Sequence, residues 1–299
     1  PALNAKENVF MSYALTFVAA DPQHTPLQEA HIDTYGPHDW LSAGKAASVR
    51  VTNPLDVQAL TDLRTALNHC KIDIFQTPAE NRRKKLLLAD MDSTIVEGET
   101  LDELAAFAGL KDKIAAITAR AMNGELDFHA AIRERVGLLK GLNATTIEAT
   151  LAATIVNPGA HTLVQTMKNH GCTCVLVSGG FTLFTAPIAE AVGFDHNHGN
   201  TLHIENGVLT GTVADPILDK DSKVAFLQNY IEKLGITAAD CMTIGDGAND
   251  VPMLLKAGFG IAYHAKPTVQ SQITNQINHG DLSSALYAQG YRDDDIAFE

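Results

Sequence analysis

Two aspartates one residue apart, Asp90 and Asp92, follow the apolar run Leu86-Leu87-Leu88-Ala89 and precede Ser93 and Thr94. An apolar run of this length reads as a fully buried strand. In an open α/β sheet, chemistry sits just beyond the carboxyl ends of such strands. Asp90 and Asp92 therefore make a paired-carboxylate site, in which Asp92 turns back towards the atom that Asp90 attacks. Three more segments reach the same edge. Ser178-Gly179-Gly180 ends the apolar stretch at 172–177, Lys223 opens a helix, and Gly245-Asp246-Gly247-Ala248-Asn249-Asp250 follows the apolar stretch at 241–244.

Together these residues form a chemical set. Asp90, Asp92 and Asp246 supply hard oxygen ligands, the preference of Mg²⁺. Ser178, the Gly179 and Gly180 amides, and Lys223 supply donors for a phosphate. Such a site suits phosphoryl transfer, where positioning and electrostatics do most of the work. Asp90 is the expected nucleophile and would carry an aspartyl-phosphate. Asp92 would protonate the departing alkoxide and later take a proton from water. Asp250 is expected to orient the metal shell rather than touch substrate.

The elements that position these residues follow from periodicity. Strands at 172–177, 241–244 and 259–262, with helices at 161–170, 222–234 and 250–256, predict an α/β fold, a doubly wound Rossmann-like parallel sheet. Helical patterns at 101–106, 114–122, 128–139 and 145–155 predict an all-helical insertion. Asn206-Gly207 between alternating apolar residues predicts a β-hairpin flap. Strands at 13–20, 47–51 and 71–75 and a helix at 55–67 predict a small α+β module over residues 1–80, without a visible active site. Residues 78–85 read as a linker into the main domain, 81–299, with the basic run Arg82-Arg83-Lys84-Lys85 as a solvated strand entry.

Composition bounds the function. With 22 basic and 35 acidic residues the formal net charge is −13, which disfavours a nucleic-acid or membrane-surface partner. Hydrophobic content of 45% fits a sizeable core. The four cysteines are too few and scattered for a disulfide framework, so a cytoplasmic setting is expected. No apolar run is long enough to span a bilayer.

The segments at 90–94, 178–180, 223 and 245–250 resemble the four motifs of the haloacid dehalogenase (HAD-like) superfamily. Glu99-Thr100-Leu101-Asp102-Glu103-Leu104, Arg133 to Leu139, Ile204 to Gly211 and His279-Gly280-Asp281-Leu282 resemble, more narrowly, its phosphoserine phosphatase family. The resemblance covers about residues 84–292. It implies a helical cap at about 98–157 and Mg²⁺-dependent hydrolysis of O-phospho-L-serine, the last step of serine biosynthesis. By the same resemblance Glu99 reads the substrate ammonium and Arg135 its carboxylate, with Arg133 a rival for that role. Ser178, Gly179, Lys223 and Asn249 become phosphate or substrate contacts, and Met122 and Phe128 line the serine pocket. Bacterial relatives often carry an ACT-like regulatory region ahead of the phosphatase domain, so residues 1–80 are expected to be an abbreviated unit of that kind. A homodimer is a further expectation. His264 stands where another basic residue would be expected and receives no role. Two rivals stay open: the same fold passing the phosphoryl group to another alcohol such as homoserine, and a non-catalytic serine-sensing protein.

Overall fold

The computed structural model describes residues 12–122 and 125–298, with the side chain of Met122 outside the described set. Strands β1 (Tyr13–Ala19), β2 (His38–Ser42), β3 (Ala46–Val51) and β4 (Ile72–Pro78) form an antiparallel sheet in the order β2-β3-β1-β4. Helix α1 (Val57–Leu67) connects β3 to β4 and starts where the Asp56 carboxylate accepts the Ala59 amide at 2.8 Å. Strand alternation splits this sheet between two cores. Leu15, Phe17, Ile72 and Ile74 pack with Leu60, Leu63 and Leu67 of α1. Val18, Ala46 and Phe75 face the other way and join the larger core.

The larger unit begins with β5 (Leu86–Ala89), followed by helices α2 (Thr100–Phe107), α3 (Lys111–Met122), α4 (Phe128–Leu138) and α5 (Ala144–Ala153). Next come α6 (Ala160–Asn169), β6 (Thr173–Phe181), α7 (Thr182–Val192), β7 (His196–Asn200) and the hairpin β8 (Leu202–Glu205) and β9 (Val208–Val213). The chain closes with α8 (Lys220–Leu234), β10 (Cys241–Gly245), α9 (Val251–Lys256), β11 (Phe259–Tyr263), α10 (Pro267–Gln270), β12 (Asn275–Ile277) and α11 (Ser284–Ala288). Six of these strands form a parallel sheet, β12-β11-β10-β5-β6-β7. This is the expected doubly wound α/β fold. β5 lies inside it, with Leu87 and Ala89 in one core and Leu86 and Leu88 in the other. Burial on both faces is why this strand is apolar without alternation.

The helical insertion leaves and rejoins this sheet through paired extended segments. Val96 and Val156 form an antiparallel bridge, Glu97 N–H donates to Ile155 O at 2.8 Å, and the Asn157 side chain donates to Thr94 O at 2.8 Å. The hairpin turns at Asn206 and Gly207, both with positive φ, as the Asn-Gly pair requires. It leans on the α4–α5 connection, where Leu209 N–H donates to Leu142 O at 2.9 Å and Ala144 N–H to Gly207 O at 2.9 Å.

The basic run corrects the expectation of a solvated strand entry. Arg83 and Lys85 are exposed, but Lys84 is buried, donating to Asn81 O and Ala239 O at 2.8 and 2.7 Å. Arg82 donates to Thr16 Oγ1 at 2.8 Å, Ser48 Oγ at 3.1 Å and Ala288 O at 3.0 Å, clamping the N-terminal sheet to the end of α11. Lys84 and Arg82 are tolerated there because each finds carbonyl or hydroxyl acceptors inside the protein. The same seam buries Asp73, whose carboxylate accepts the Asn278 and Gly280 amides, each at 2.8 Å. His264, exposed and with a positive φ, bonds Gly280 O through Nε2 at 2.8 Å. All four cysteines are free thiols. Among the described residues no helix is long and apolar enough to cross a membrane.

Candidate active site

The end of β5 fixes the first acid. Asp90 N–H still donates to Ile244 O of β10 at 3.0 Å, so the sheet holds its backbone. The chain then turns sharply: the Ile95 and Val96 amides both return to Met91 O, and Ser93 takes φ +55° while donating to Gly98 O. This turn sends Asp92 towards two donors. Its Oδ1 accepts the Thr100 amide at the start of α2 at 2.8 Å, and its Oδ2 accepts the Ser178 hydroxyl at 2.9 Å. Ser178 Oγ in turn accepts the Gly180 amide at 2.7 Å. A Cβ on Gly180 would stand 2.9 Å from Ser178 Oγ and 3.0 Å from Asp92 Oδ2, so this approach needs glycine.

Lys223, in the first turn of α8, is only 2% exposed. Its ammonium donates to Asp90 Oδ1 at 2.5 Å and to Asp250 Oδ1 at 2.6 Å. The other oxygen of Asp250 accepts the Gly247 amide at 3.0 Å. Asp250 packs so closely on Gly245 that a Cβ there would lie 2.5 Å from its Cγ. Asp246 accepts the Thr94 hydroxyl at 3.1 Å.

One lysine among these acids leaves surplus negative charge. Burial, then the charge of Asp250, raises the Asp90 pKa well above the ordinary range against the pull of Lys223. Burial, then Asp250, pushes Asp246 up to about 6. For Lys223 burial alone would lower the pKa, but Asp90 and Asp250 outweigh it and keep the ammonium charged.

Ligand oxygens of Asp90, Asp246 and Asp250 lie within 4.8 Å of one another. An oxygen-only, over-negative cluster, with Asp90 and Asp250 buried and Asp246 half-buried, fits a hard divalent cation. It differs from the expected set of Asp90, Asp92 and Asp246. Asp250 enters the cluster, while the Asp92 carboxylate engages Thr100 and Ser178.

Across this edge lies the helical insertion. Phe128, the first residue of α4, reaches Gly179, its Cζ 3.9 Å from where a Cβ would stand. Phe128 and Arg135 line a cavity of about 260 Å³ with Thr118, Ala121, Leu126 and Ala131. Arg135 is half-buried; burial lowers its pKa, and Asp102 and Glu99 oppose that. Its rival Arg133 turns away to an exposed pair with Asp215 at 2.5 Å. Glu99 accepts the Ser93 hydroxyl at 3.1 Å. By area Glu99 is exposed, yet its carboxyl is crowded by protein atoms. That crowding, then the Asp92 charge, pushes its pKa up to about 7. Asn249 is exposed and folds over Gly247, with Oδ1 2.3 Å from the position of a Cβ there.

Residues 87–255 match the family model described as haloacid dehalogenase-like hydrolase. The chain belongs to that family. Several relatives that it resembles are phosphoserine phosphatases. The chain is 38% identical over 238 residues to one from Streptomyces coelicolor, a match covering 79% of the chain and 58% of the relative's length. Among solved structures it is similar to a HAD-family hydrolase from Salmonella enterica serovar Typhi (31% identity, TM-score 0.81, covering 92% of this chain and 98% of that one). It is also similar to a phosphoserine phosphatase solved as a phospho-aspartyl intermediate analogue (38% identity, TM-score 0.63, covering 69% and 98%). The HAD-like match ends at 255, so it includes all four motif segments and the whole helical insertion.

Several participants receive no role from the sequence. Thr94 holds Asp246, the Thr100 amide anchors Asp92, and Asn157 ties the root of the insertion to the turn after Asp90. Thr94 and Thr100 stand inside the motif segments, whereas Asn157 stands outside them.

Proposed function

We propose that this chain hydrolyses O-phospho-L-serine to serine and phosphate through a phosphoryl group carried on Asp90. One observation supports this most. Asp90 sits at a strand end, bonded to a buried lysine, with two more acids within 4.8 Å and Asp92 just beyond, hydrogen-bonded to Ser178. The names of the relatives point the same way.

Attack by the Asp90 carboxylate forms a P–O bond and breaks the bond to the serine oxygen, which takes a proton from Asp92. Water then attacks phosphorus, gives a proton to Asp92 and frees the Asp90 carboxylate. Thr100 anchors Oδ1 of Asp92, which leaves Oδ2, shared with a rotatable hydroxyl, as the oxygen that exchanges the proton. Lys223 holds Asp90 in place and offsets the charge of the arriving phosphate. Asp90, Asp246 and Asp250 would hold Mg²⁺, which when bound neutralises carboxylate charge and polarises phosphoryl oxygens.

Substrate selection falls to the insertion. Arg135, which lines the cavity, pairs with the serine carboxylate. Arg135→Ala is expected to raise KM for O-phospho-L-serine roughly 10- to 100-fold, the scale of a lost charged hydrogen bond. Arg133→Ala is expected to change it less than about threefold, since exposed pairs are weak. Steady-state kinetics of the two variants against O-phosphothreonine and p-nitrophenyl phosphate tests the assignment. Equal losses from both would reverse it.

Glu99 adds a pH signature. With a pKa near 7 it is protonated below neutrality and then cannot pair with an ammonium. The kcat/KM for phosphoserine should therefore fall as pH drops through about 7. Glu99→Gln is expected to lower the plateau and move that acid limb to lower pH in a full pH profile.

An ACT-like unit at 1–80 is supported by the strand order β2-β3-β1-β4. Two 3₁₀ turns at Glu29–His31 and Asp33–Tyr35 stand where such a unit has a first helix.

A further inference from the structure

β6 and β7 pair in step from Val175 opposite His196 to Val177 opposite His198, and then the register breaks. The next pair is Phe181 with Asn200, so Ser178, Gly179 and Gly180 bulge out of the ladder. Asn200 spans the gap. It is 2% exposed, and its Nδ2 donates to Gly179 O at 2.8 Å. Its Oδ1 accepts the Leu218 amide at 2.8 Å. A carbonyl only accepts and an amide N–H only donates, so the partners fix which way the side chain faces. Leu218 precedes Asp219, the N-cap of α8, whose carboxylate accepts the Asp221 and Ser222 amides at 3.0 Å. Lys223 follows within that turn. Gly199 permits the close fit, since a Cβ there would lie 3.1 Å from the Thr182 amide nitrogen.

We propose that Asn200 is a positioning residue for phosphoryl transfer. One buried amide sets the Ser178-Gly179 loop and the start of the Lys223 helix relative to each other, without touching substrate. The proposal rests on the reading that Ser178, Gly179 and Lys223 face the phosphoryl group. Donors fixed in advance and aimed at charge that develops in the transition state raise kcat more than they lower KM. The amino-acid end of the substrate, held from the insertion by Glu99 and Arg135, is untouched.

Two variants of the full chain test this, assayed with Mg²⁺ beside the parent. Asn200→Asp keeps the shape but turns an acceptor towards Gly179 O. Asn200→Ser retains one donor and one acceptor on a shorter side chain. In Asn200→Asp, kcat for O-phospho-L-serine is expected to fall roughly 10- to 100-fold with KM within about twofold, and Asn200→Ser to lie between it and the parent. Inhibition by orthovanadate, a mimic of five-coordinate phosphorus, should weaken in parallel, while competitive inhibition by L-serine stays unchanged. Parent-level kcat and vanadate inhibition in a folded variant would overturn the proposal. So would equal losses of serine and vanadate inhibition, or failure of both variants to fold, which would make Asn200 a fold residue. A parent chain that releases no phosphate would overturn the functional reading and the inference with it. An active parent with indifferent variants overturns the inference alone.

Discussion

Asp90→Asn is expected to abolish phosphate release from O-phospho-L-serine, lowering kcat on the order of 10⁴-fold or more, in a protein at least as stable as the parent. The amide is isosteric but is no nucleophile, so the step that forms the P–O bond is lost while the shape stays. Stability should not suffer. The folded-state pKa of Asp90 is raised, first by burial and then by Asp250, so its ionised form is disfavoured by folding. For such a group, stability declines as pH rises above the unfolded carboxylate value of about 4, and a neutral side chain escapes that decline. Lys223 keeps a carboxylate partner in Asp250. Paired measurements of kcat and thermal unfolding at neutral pH check both halves. Retained turnover would remove Asp90 from the chemistry. An unmutated chain that binds serine but never turns over would favour the sensing role instead.

Lys223→Met is expected to damage the fold as well as the reaction. The ammonium joins two carboxylates that are themselves buried, Asp90 at 6% and Asp250 at 0% exposure. Removing it leaves both acids without their direct counter-charge, a change that typically costs about 3–5 kcal/mol. The deficit has a pH signature. Without the lysine the Asp90 carboxyl, already raised by burial and by the charge of Asp250, is pushed up further, so the variant should lose stability as pH climbs above about 4 and recover it towards acid. Urea unfolding of parent and variant at pH 5 and pH 8 reads this directly, with a smaller difference expected at pH 5. Turnover should fall roughly 10³-fold in the folded protein, as for loss of one preorganised donor at a phosphoryl group. A variant of parental stability at pH 8 would mean that the buried triangle of Asp90, Lys223 and Asp250 does not hold this edge together.

The sequence made the centre of the fold legible because the central strands are buried on both faces. Leu86 to Ala89 and Cys241 to Ile244 could hardly be anything but core strands, and each leads into an acid of the candidate site, Asp90 directly and Asp246 through Gly245. β7 was not legible. His196-Asn197-His198-Gly199-Asn200 has no apolar signal, because it is an edge strand held by one neighbour and by α7. β2 was missed for a related reason, its polar edge sequence His-Asp-Trp-Leu-Ser. Within the site, spacing told which acids reach the edge but not where each carboxylate points. That depends on the turn after Asp90, with Ser93 at positive φ, and on the Thr100 amide arriving from α2. Hence Asp250 rather than Asp92 completes the carboxylate cluster. The basic run misled because four consecutive cations look solvated, whereas carbonyl and hydroxyl acceptors far away in sequence receive Lys84 and Arg82 inside the protein. Asn200 offered no signal, being a single polar residue whose partners are far away in sequence.

The covalent step at Asp90 is tested most directly by rapid acid quenching of the enzyme during turnover of ³²P-labelled O-phospho-L-serine, followed by peptide mapping. The expected result is hydroxylamine-labile label on the peptide that carries Asp90, present in the parent and absent from Asp90→Asn. Turnover without any trapped label, or label on another residue, would contradict the mechanism and leave Asp90 only a ligand or a support.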